Sequence, residues 1–394
     1  MRTKPFTFAA VGLVGLAVLL AVTPARADST KWIGPDGGNW SNSDNWTNGV
    51  PGNAGAEPKQ LVQNSGFVGT WNLDADWAIT KWTVGSDNAN WTLDLNGFDL
   101  STGNTEWFRD VKKNAVNTIG DSVGGGTITF GGQIFYRGGN ADAERESSSI
   151  VIADAVQATC NPPWPWGPGG WNTGYNPGDC SIIAKDQSSL EMKGGAVNIG
   201  NEGYPTVSAP GEGLTVTISA RDEARVWWDL PNNNVNLGST PESMGGGNDW
   251  VDNGYGRGWL EVIGNAASID MAGGLTIGKG GVRVEIDDLA QDAAIDVGKS
   301  LVLTTTQTAE IDVDLATGVT PSFMQVFDLI DWGTGDAGAT RTGSFTLVSE
   351  DVGTWQLIHD DTNKVVQAQY LVPEPATAIV VLSGAVLAMR RRRF

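Results

Sequence analysis

The chain has 394 residues and combines 53 Gly and 17 Trp with 45 acidic residues against 25 basic ones, for a net charge of −20. One His and two Cys cannot build a zinc finger, a His-rich metal centre or a Cys-ligated iron–sulfur cluster, and the negative charge opposes contact with a phosphate backbone. No cofactor, no metal site and no nucleic-acid partner is therefore expected. Between Asp28 and Val372 the imbalance deepens to 18 basic against 44 acidic residues, a balance of −26. With 40% apolar residues such a body folds rather than stays disordered.

The N-terminus opens with Arg2 and Lys4, continues in an apolar run over residues 6–22 and ends in Ala25-Arg26-Ala27. A basic start, an apolar helix and small residues at the −3 and −1 positions mark residues 1–27 as a secretory signal, with cleavage by signal peptidase expected after Ala27; an uncleaved membrane anchor is the alternative. Residues 28–59 carry Trp32, Trp40 and Trp46 within a Gly- and Asn-rich stretch ending in Val50-Pro51. This pattern resembles the element that begins β-helical bacterial surface proteins, including autotransporter-like passengers. The resemblance implies a capping element in which the three rings plug the first coil; a sugar-stacking platform is the alternative.

From residue 30 to residue 271 no convincing long amphipathic helix appears. Short alternating or β-branched runs recur instead, at 126–136, 149–156, 214–230, 260–264, 281–288 and 301–305, each bounded by Gly, Asn, Asp or Pro. That spacing predicts an all-β architecture. Residues 189–200 and 268–278 are similar, both reading strand, Gly-Gly corner, short strand and Ile-Gly, at an offset of 79 narrowing to 78. Such corners suit a parallel β-helix (solenoid) over residues 60–311, each coil burying its inward residues against the next. A β-sandwich or jelly roll with two similar hairpins is the alternative. Residues 312–371 have hairpin-like spacing and are predicted to form an antiparallel cap over the last coil.

Cys160 and Cys180 bracket a loop rich in Pro and Gly. In an exported chain the pair is most simply a disulfide, which would contribute about 3 kcal/mol by closing a loop of about 20 residues. Trp164, Trp166, Trp171 and Tyr175 lie inside it, in a segment too rich in Pro and Gly for an ordinary core. These rings are candidate ligand-binding residues, packing against the solenoid wall being the other reading.

Paired carboxylates occur at Asp74/Asp76, Asp222-Glu223, Asp287-Asp288 and Asp360-Asp361. In so acidic a body they are expected by chance, and a solvated face explains them. His359 is the only His, and no Gly-x-Ser-x-Gly elbow exists, so no catalytic residues are expected. A pectate-type lyase would need a basic residue beside an acidic cluster on one solenoid face; Arg221, Arg225 and Lys185 are available, but spacing alone does not place them there.

The C-terminus reads Val372-Pro373-Glu374-Pro375, then 14 uncharged residues at 376–389, then Arg390-Arg391-Arg392-Arg393. A helix of that length spans roughly 21 Å, and the four arginines would anchor it on the cytoplasmic side of a membrane, their stems covering the missing length. Residues 372–394 resemble the PEP-CTERM sorting signal of bacterial exosortase substrates, with Pro373, Glu374 and Pro375 as the motif. The Gly-Gly and Ile-Gly pairs resemble, more loosely, the solenoid bodies found among such proteins, and that likeness implies a right-handed β-helix.

Together these features predict an exported, non-catalytic cell-surface or extracellular-matrix protein. Its C-terminal transmembrane helix would hold it at the inner membrane until an exosortase-type enzyme cuts near the motif, and polysaccharide would be its partner outside. A polysaccharide lyase or glycoside hydrolase on a β-helix is the second reading. A flat Thr/Asn-rich face for ice or crystalline polysaccharide ranks third, because the only dense Thr run is at residues 304–306.

Overall fold

A computed structural model describes residues 29–52, 60–62, 67–84, 90–107, 116–131, 134–136, 148–161, 171–173, 180–193, 197–199, 215–238, 257–264, 266–290, 292–303, 309–349 and 354–372. Among them there is no α-helix; the single helical element is the 3-10 turn Ser43–Asn45. The signal segment and the sorting segment from Pro373 onward lie outside the described residues.

The strands alternate inward apolar and outward polar side chains, the period of a half-buried strand. Asn90–Asp94 and Ser189–Lys193 show it most plainly. Eleven strands stack into one sheet, here the first face, running from Gly38–Asn39 through Val68–Asn72, Asn90–Asp94, Val116–Gly120 and Ser148–Ile152 to Gly280–Ile286, Ala309–Leu315 and Phe345–Leu347. The other twenty strands form a sheet that supplies two more faces. The eight-residue strands Trp77–Val84 and Leu100–Trp107 run across both faces; Leu100–Trp107 pairs with Thr127–Gly131 at one end and with Ile134–Tyr136 at the other. Each later coil gives one strand to each face in turn, as in Cys180–Ala184, Ser189–Lys193 and Val197–Ile199.

Every pairing between these strands is parallel except two, Val326–Trp332 with Val365–Tyr370 and Trp355–Asp360 with Val365–Tyr370. Neighbours along a sandwich of hairpins would be antiparallel, so the sandwich reading is corrected. The chain is all-β, built from parallel sheets in the manner of a β-solenoid.

The two similar segments pair with a common neighbour. Ser189–Lys193 lies beside Arg225–Asp229, which lies beside Ser268–Met271, so the copies stand two coils apart. The parallel ladders begin before residue 60, because Ser29–Thr30 pairs with Gln60–Val62 and Gly38–Asn39 with Val68–Asn72. They also continue beyond residue 312. Ala309–Leu315, Arg341–Thr342 and Phe345–Leu347 each add parallel to the coil before them, and among the described strands antiparallel pairing is confined to the last two and their partner.

Inside, residues in register form continuous columns. One on the first face reads Ile150, Ile182, Ile218, Leu260, Val282 and Ile311; one on the second reads Ile128, Ala158, Leu190, Val226, Ile269, Ile295 and Ile330. All are buried, and each Leu or Ile contributes roughly 1.5–3 kcal/mol. Asn117 precedes Ile150 in the first column. It is fully buried, and neither its amide nitrogen nor its oxygen has a hydrogen-bond partner. An unsatisfied buried polar group costs about 1–3 kcal/mol, so N117L is expected to raise the unfolding free energy by about that amount in urea titrations; an unchanged or lower value would mean that the amide is satisfied in solution.

At the corner between the first and second faces Asp154, Asp186 and Asp222 take left-handed backbone angles of +55°, +59° and +61°, a conformation that Asp tolerates better than most residues. The Asp186 amide donates to the Asp222 carboxylate at 3.4 Å, so part of the acidic surplus builds turns.

The N-terminal Trp residues fill the first coils. Trp32, Trp40 and Trp46 are all buried and pack on Trp71, with ring centroids 5.7, 6.0 and 6.2 Å from it. The plug reading therefore describes these rings, and none of them is free to stack on a sugar.

The expected disulfide is corrected. Cys160 is a free thiol, fully buried at an inward position of Gln157–Asn161 on the second face, in register between Phe130 and Met192. Cys180 begins a strand of the first face, so the two residues serve different walls. Burial pushes the Cys160 thiol well above its usual range, and the thiolate is the reactive form. Peptide mapping after alkylation is expected to find Cys160 unmodified in the folded protein and fully modified in denaturant without any reductant. Modification only after reduction would restore the disulfide.

Candidate functional site

The outer wall of the first face carries the most organised polar cluster among the described residues. Three successive strands, Thr215–Arg221, Arg257–Ile263 and Gly280–Ile286, together with Ala309–Leu315, place Ser219, Glu261, Arg283 and Asp312 side by side in one outward row. The flanking rows hold Thr217, Trp259, Gly281 and Glu310 on one side and Arg221, Ile263, Glu285 and Asp314 on the other.

Glu261 is the hub, its side chain only 8% exposed. Its Oε2 accepts from the Ser219 hydroxyl at 2.7 Å and from Arg221 Nη2 at 2.8 Å, while Oε1 faces Arg283 Nη1 at 3.3 Å. Arg283 also donates through Nε to Asp312 at 2.9 Å, and Arg221 Nε donates to Ser219 at 2.9 Å. Burial pushes the Glu261 carboxyl up, but the Ser219 and Arg221 hydrogen bonds and the two guanidinium charges outweigh it and hold the group below its usual range. Glu285 moves the other way, raised by burial and by Asp287, Asp314 and Glu261. The Arg283 guanidinium lies 5.7 Å from the Trp259 ring centroid, within reach of a cation–π contact.

A second aromatic point lies on the second face. Arg225 sits 4.2 Å over the Trp227 ring and donates to Asp270 at 2.6 Å, and Ser268 donates to the same carboxylate. In register beyond Asp270 stand Asp296 and Asp331. Burial, then the charges of Asp328, Asp296 and Asp292, push Asp331 up from 3.8 to about 6. The folded chain thus keeps a proton in this window that the unfolded chain has lost. The group's contribution is most favourable below the unfolded value and is lost as pH rises through about 6. D331N is expected to flatten this dependence and to raise stability at pH 7 by about 1 kcal/mol after solvent screening; urea midpoints at pH 4 and pH 7 measure it, and equal gains at both would refute the coupling.

Of the basic residues available to an enzyme reading, Arg221 joins an acidic cluster, Arg225 joins Asp270, and Lys185 pairs with its neighbour Asp186 at 3.3 Å. The paired carboxylates serve local structure: Asp74 receives Ser41, Asp76 the Asp99 amide, Glu223 the Gln187 amide and Asp288 the Ala290 amide. Asp360 receives the amides of Thr362 and Asn363, and Asp361 pairs with Arg341 at 2.8 Å. His359 stacks on Phe345 and accepts its amide at 3.4 Å, with its basicity lowered by burial and by Arg341. It therefore belongs to a structural contact.

Trp164, Trp166 and Tyr175 lie outside the described residues, as do Ala25, Ala27, Pro373, Glu374, Pro375 and Arg390, Arg391, Arg392 and Arg393. Trp171 begins a third-face strand paired with Ile134–Tyr136 and Val197–Ile199, and its side chain is likewise outside the description. Sequence reasoning missed Trp227, Trp259, Glu261, Arg283 and Asp312. Alternation marks them as outward, but only register shows that Trp259, Glu261, Arg283 and Asp312 meet on the first face while Trp227 stands apart on the second.

No protein-family model, curated protein or solved structure matches this chain. Among the described residues no group of three or more His, Cys, Asp or Glu could hold a metal ion, and no helix is long and apolar enough to cross a membrane. Fold and site together define a class, an all-β chain of solenoid type whose outer wall carries arginine-paired carboxylates and half-buried Trp rings.

Proposed function

We propose that the chain is an exported, non-catalytic surface or matrix protein whose body, a right-handed parallel β-helix, contacts polysaccharide through its outer wall. The observation that carries this reading is the pairing across coils: Glu261 has both oxygens engaged by Ser219, Arg221 and Arg283, which suits a rigid wall better than a reacting carboxylate. Trp259 and Trp227, each half-buried with an arginine at its ring, supply aromatic surface and nearby hydrogen-bond donors, the chemistry that sugars take; a sugar stacking on Trp227 would displace Arg225 from its ring. Export through residues 1–27, retention through residues 376–389 and Arg390–Arg393, and exosortase cleavage near Pro373-Glu374-Pro375 complete the proposal.

A specific observation favours the second reading. Burial and neighbouring carboxylates shift Glu285 up while the Ser219 and arginine contacts hold Glu261 down, and two carboxylates shifted apart in diagonal register on one face are the kind of pair that acid–base work on a glycosidic bond uses. One experiment separates the two. The folded protein is incubated with matrix polysaccharide from its host, and co-sedimentation and release of new reducing or unsaturated ends are both measured. Binding that weakens in W259A and W227A, with no new ends, supports the matrix reading. Ends released by the parent and lost in E285Q would establish the enzyme, and neither binding nor cleavage would reject both.

A further inference from the structure

The apolar side chains left most exposed on the C-terminal coils gather beside the place where the described chain ends. Phe323, Met324 and Val326 are 45, 47 and 40% exposed, and Leu289 is 47% exposed. Hydrogen bonds hold them together. The Gln325 side chain donates to the Leu289 carbonyl at 3.0 Å, the Gln325 amide donates to Ser322 at 2.9 Å, the Met324 amide donates to the Tyr370 carbonyl at 2.8 Å, and the Tyr370 amide returns a bond to Gln325 at 2.9 Å. Met324 sits at the tip of this turn with φ +68°, a conformation that favours Gly or Asn. A large apolar side chain is thus kept at an exposed and strained position, where a small polar residue would suit both backbone and solvent.

Two residues past Tyr370 the chain reaches Val372, itself 40% exposed. From Val372 to Ala376, the first residue of the uncharged run, four residues span at most about 14 Å. Whatever holds residues 376–389 is therefore within that reach of Val372. We infer that the surface formed by Phe323, Met324, Val326 and Leu289 rests on the lipid bilayer while the chain is membrane-anchored, orienting the solenoid on the membrane. The inference rests on the proposed C-terminal anchor. The lipid it suits is zwitterionic: residues 284–298 and 300–340, which carry the patch, contain no Lys or Arg and include Asp287, Asp288 and Asp328. Contact is thus made by apolar insertion, and anionic headgroups repel this face.

The test uses the chain from Asp28 to Phe394, the form left by signal cleavage, reconstituted in phosphatidylcholine vesicles, with Cys180→Ser and an environment-sensitive thiol probe at Met324→Cys. Val123→Cys, replacing a residue 69% exposed in an early coil, is the control. A blue shift and bromolipid quenching at residue 324, absent at residue 123 and weaker in phosphatidylglycerol vesicles, is the expected result. If the protein floats with vesicles but the probe at 324 stays in water, the anchor stands and the inference fails. If the protein does not float at all, the anchor reading fails and takes the inference with it. A concentration-dependent blue shift without vesicles would assign the patch to a second copy of the chain and overturn the lipid contact.

Discussion

Replacing Gly273 with alanine is expected to destabilise the body by about 3 kcal/mol or more. Gly273 is the first glycine of the Gly-Gly corner between Ser268–Met271 and Gly274–Ile277. A Cβ there would overlap the Asn233 carbonyl oxygen and stand 2.5 Å from that of Leu230, both backbone atoms of the preceding coil. Backbone in a stacked ladder cannot move aside without breaking register with its own neighbours. Gly124 supplies the comparison: it has φ +89° and nothing within 4 Å of a built Cβ, so G124A pays only for left-handed backbone, about 1–2 kcal/mol. Urea unfolding followed by Trp fluorescence measures both. A G273A loss no larger than that of G124A would show that the corner relaxes and that close packing is not why the glycine stands there.

That corner also shows how far the sequence reaches. The Gly-Gly and Ile-Gly pattern at residues 189–200 and 268–278 was legible because both strands flanking the corner must fit the same cross-section. The intervening coil was not, because Arg225–Asp229 replaces the apolar-polar signature of its neighbours with Val226-Trp227-Trp228, and inward volume can be conserved by many side chains. The N-terminal plug was legible for a similar reason: three Trp residues so close in sequence have few ways to be buried other than together.

The outer wall was out of reach. Ser219, Glu261, Arg283 and Asp312 occupy one row, yet the sequence separations between successive members differ because the coils differ in length. Alternation assigns each residue to the outside, and only the ladder says which outside residues touch. Cys160 and Cys180 illustrate the reverse error. Their spacing suggested a closed loop, while the alternation of Ala158 and Cys160 within Gln157–Asn161 already placed the thiol among inward residues. Where a local pattern and a long-range pairing guess disagree, the local pattern rests on the firmer physics, since it needs no knowledge of register.

The aromatic plug carries the second large expectation. Trp71→Ala is expected to cost about 3–5 kcal/mol and Trp71→Phe appreciably less, since Trp71 is the ring on which the others converge. Its centroid lies 5.1 Å from Trp91, 5.7 Å from Trp32, 6.0 Å from Trp40 and 6.2 Å from both Trp46 and Phe67. The offset-stacked and edge contacts in this set are worth about 0.5–1.5 kcal/mol each beyond burial. The indole nitrogen of Trp71 has no hydrogen-bond partner, so truncation also removes a buried unsatisfied donor, and the expected cost is the packing loss less that relief. A solenoid end differs from an interior coil in having neighbours on one side only, and the void left by Trp71 would expose Gly38–Asn39 and Val68–Asn72 to water. Hydrogen exchange is therefore expected to rise first in these strands and to fade along the ladder toward Ser148–Ile152. Uniform loss of protection along the whole body would instead mean that the plug and the distant coils unfold as one cooperative unit, and that Trp71 stabilises the fold without sealing its end.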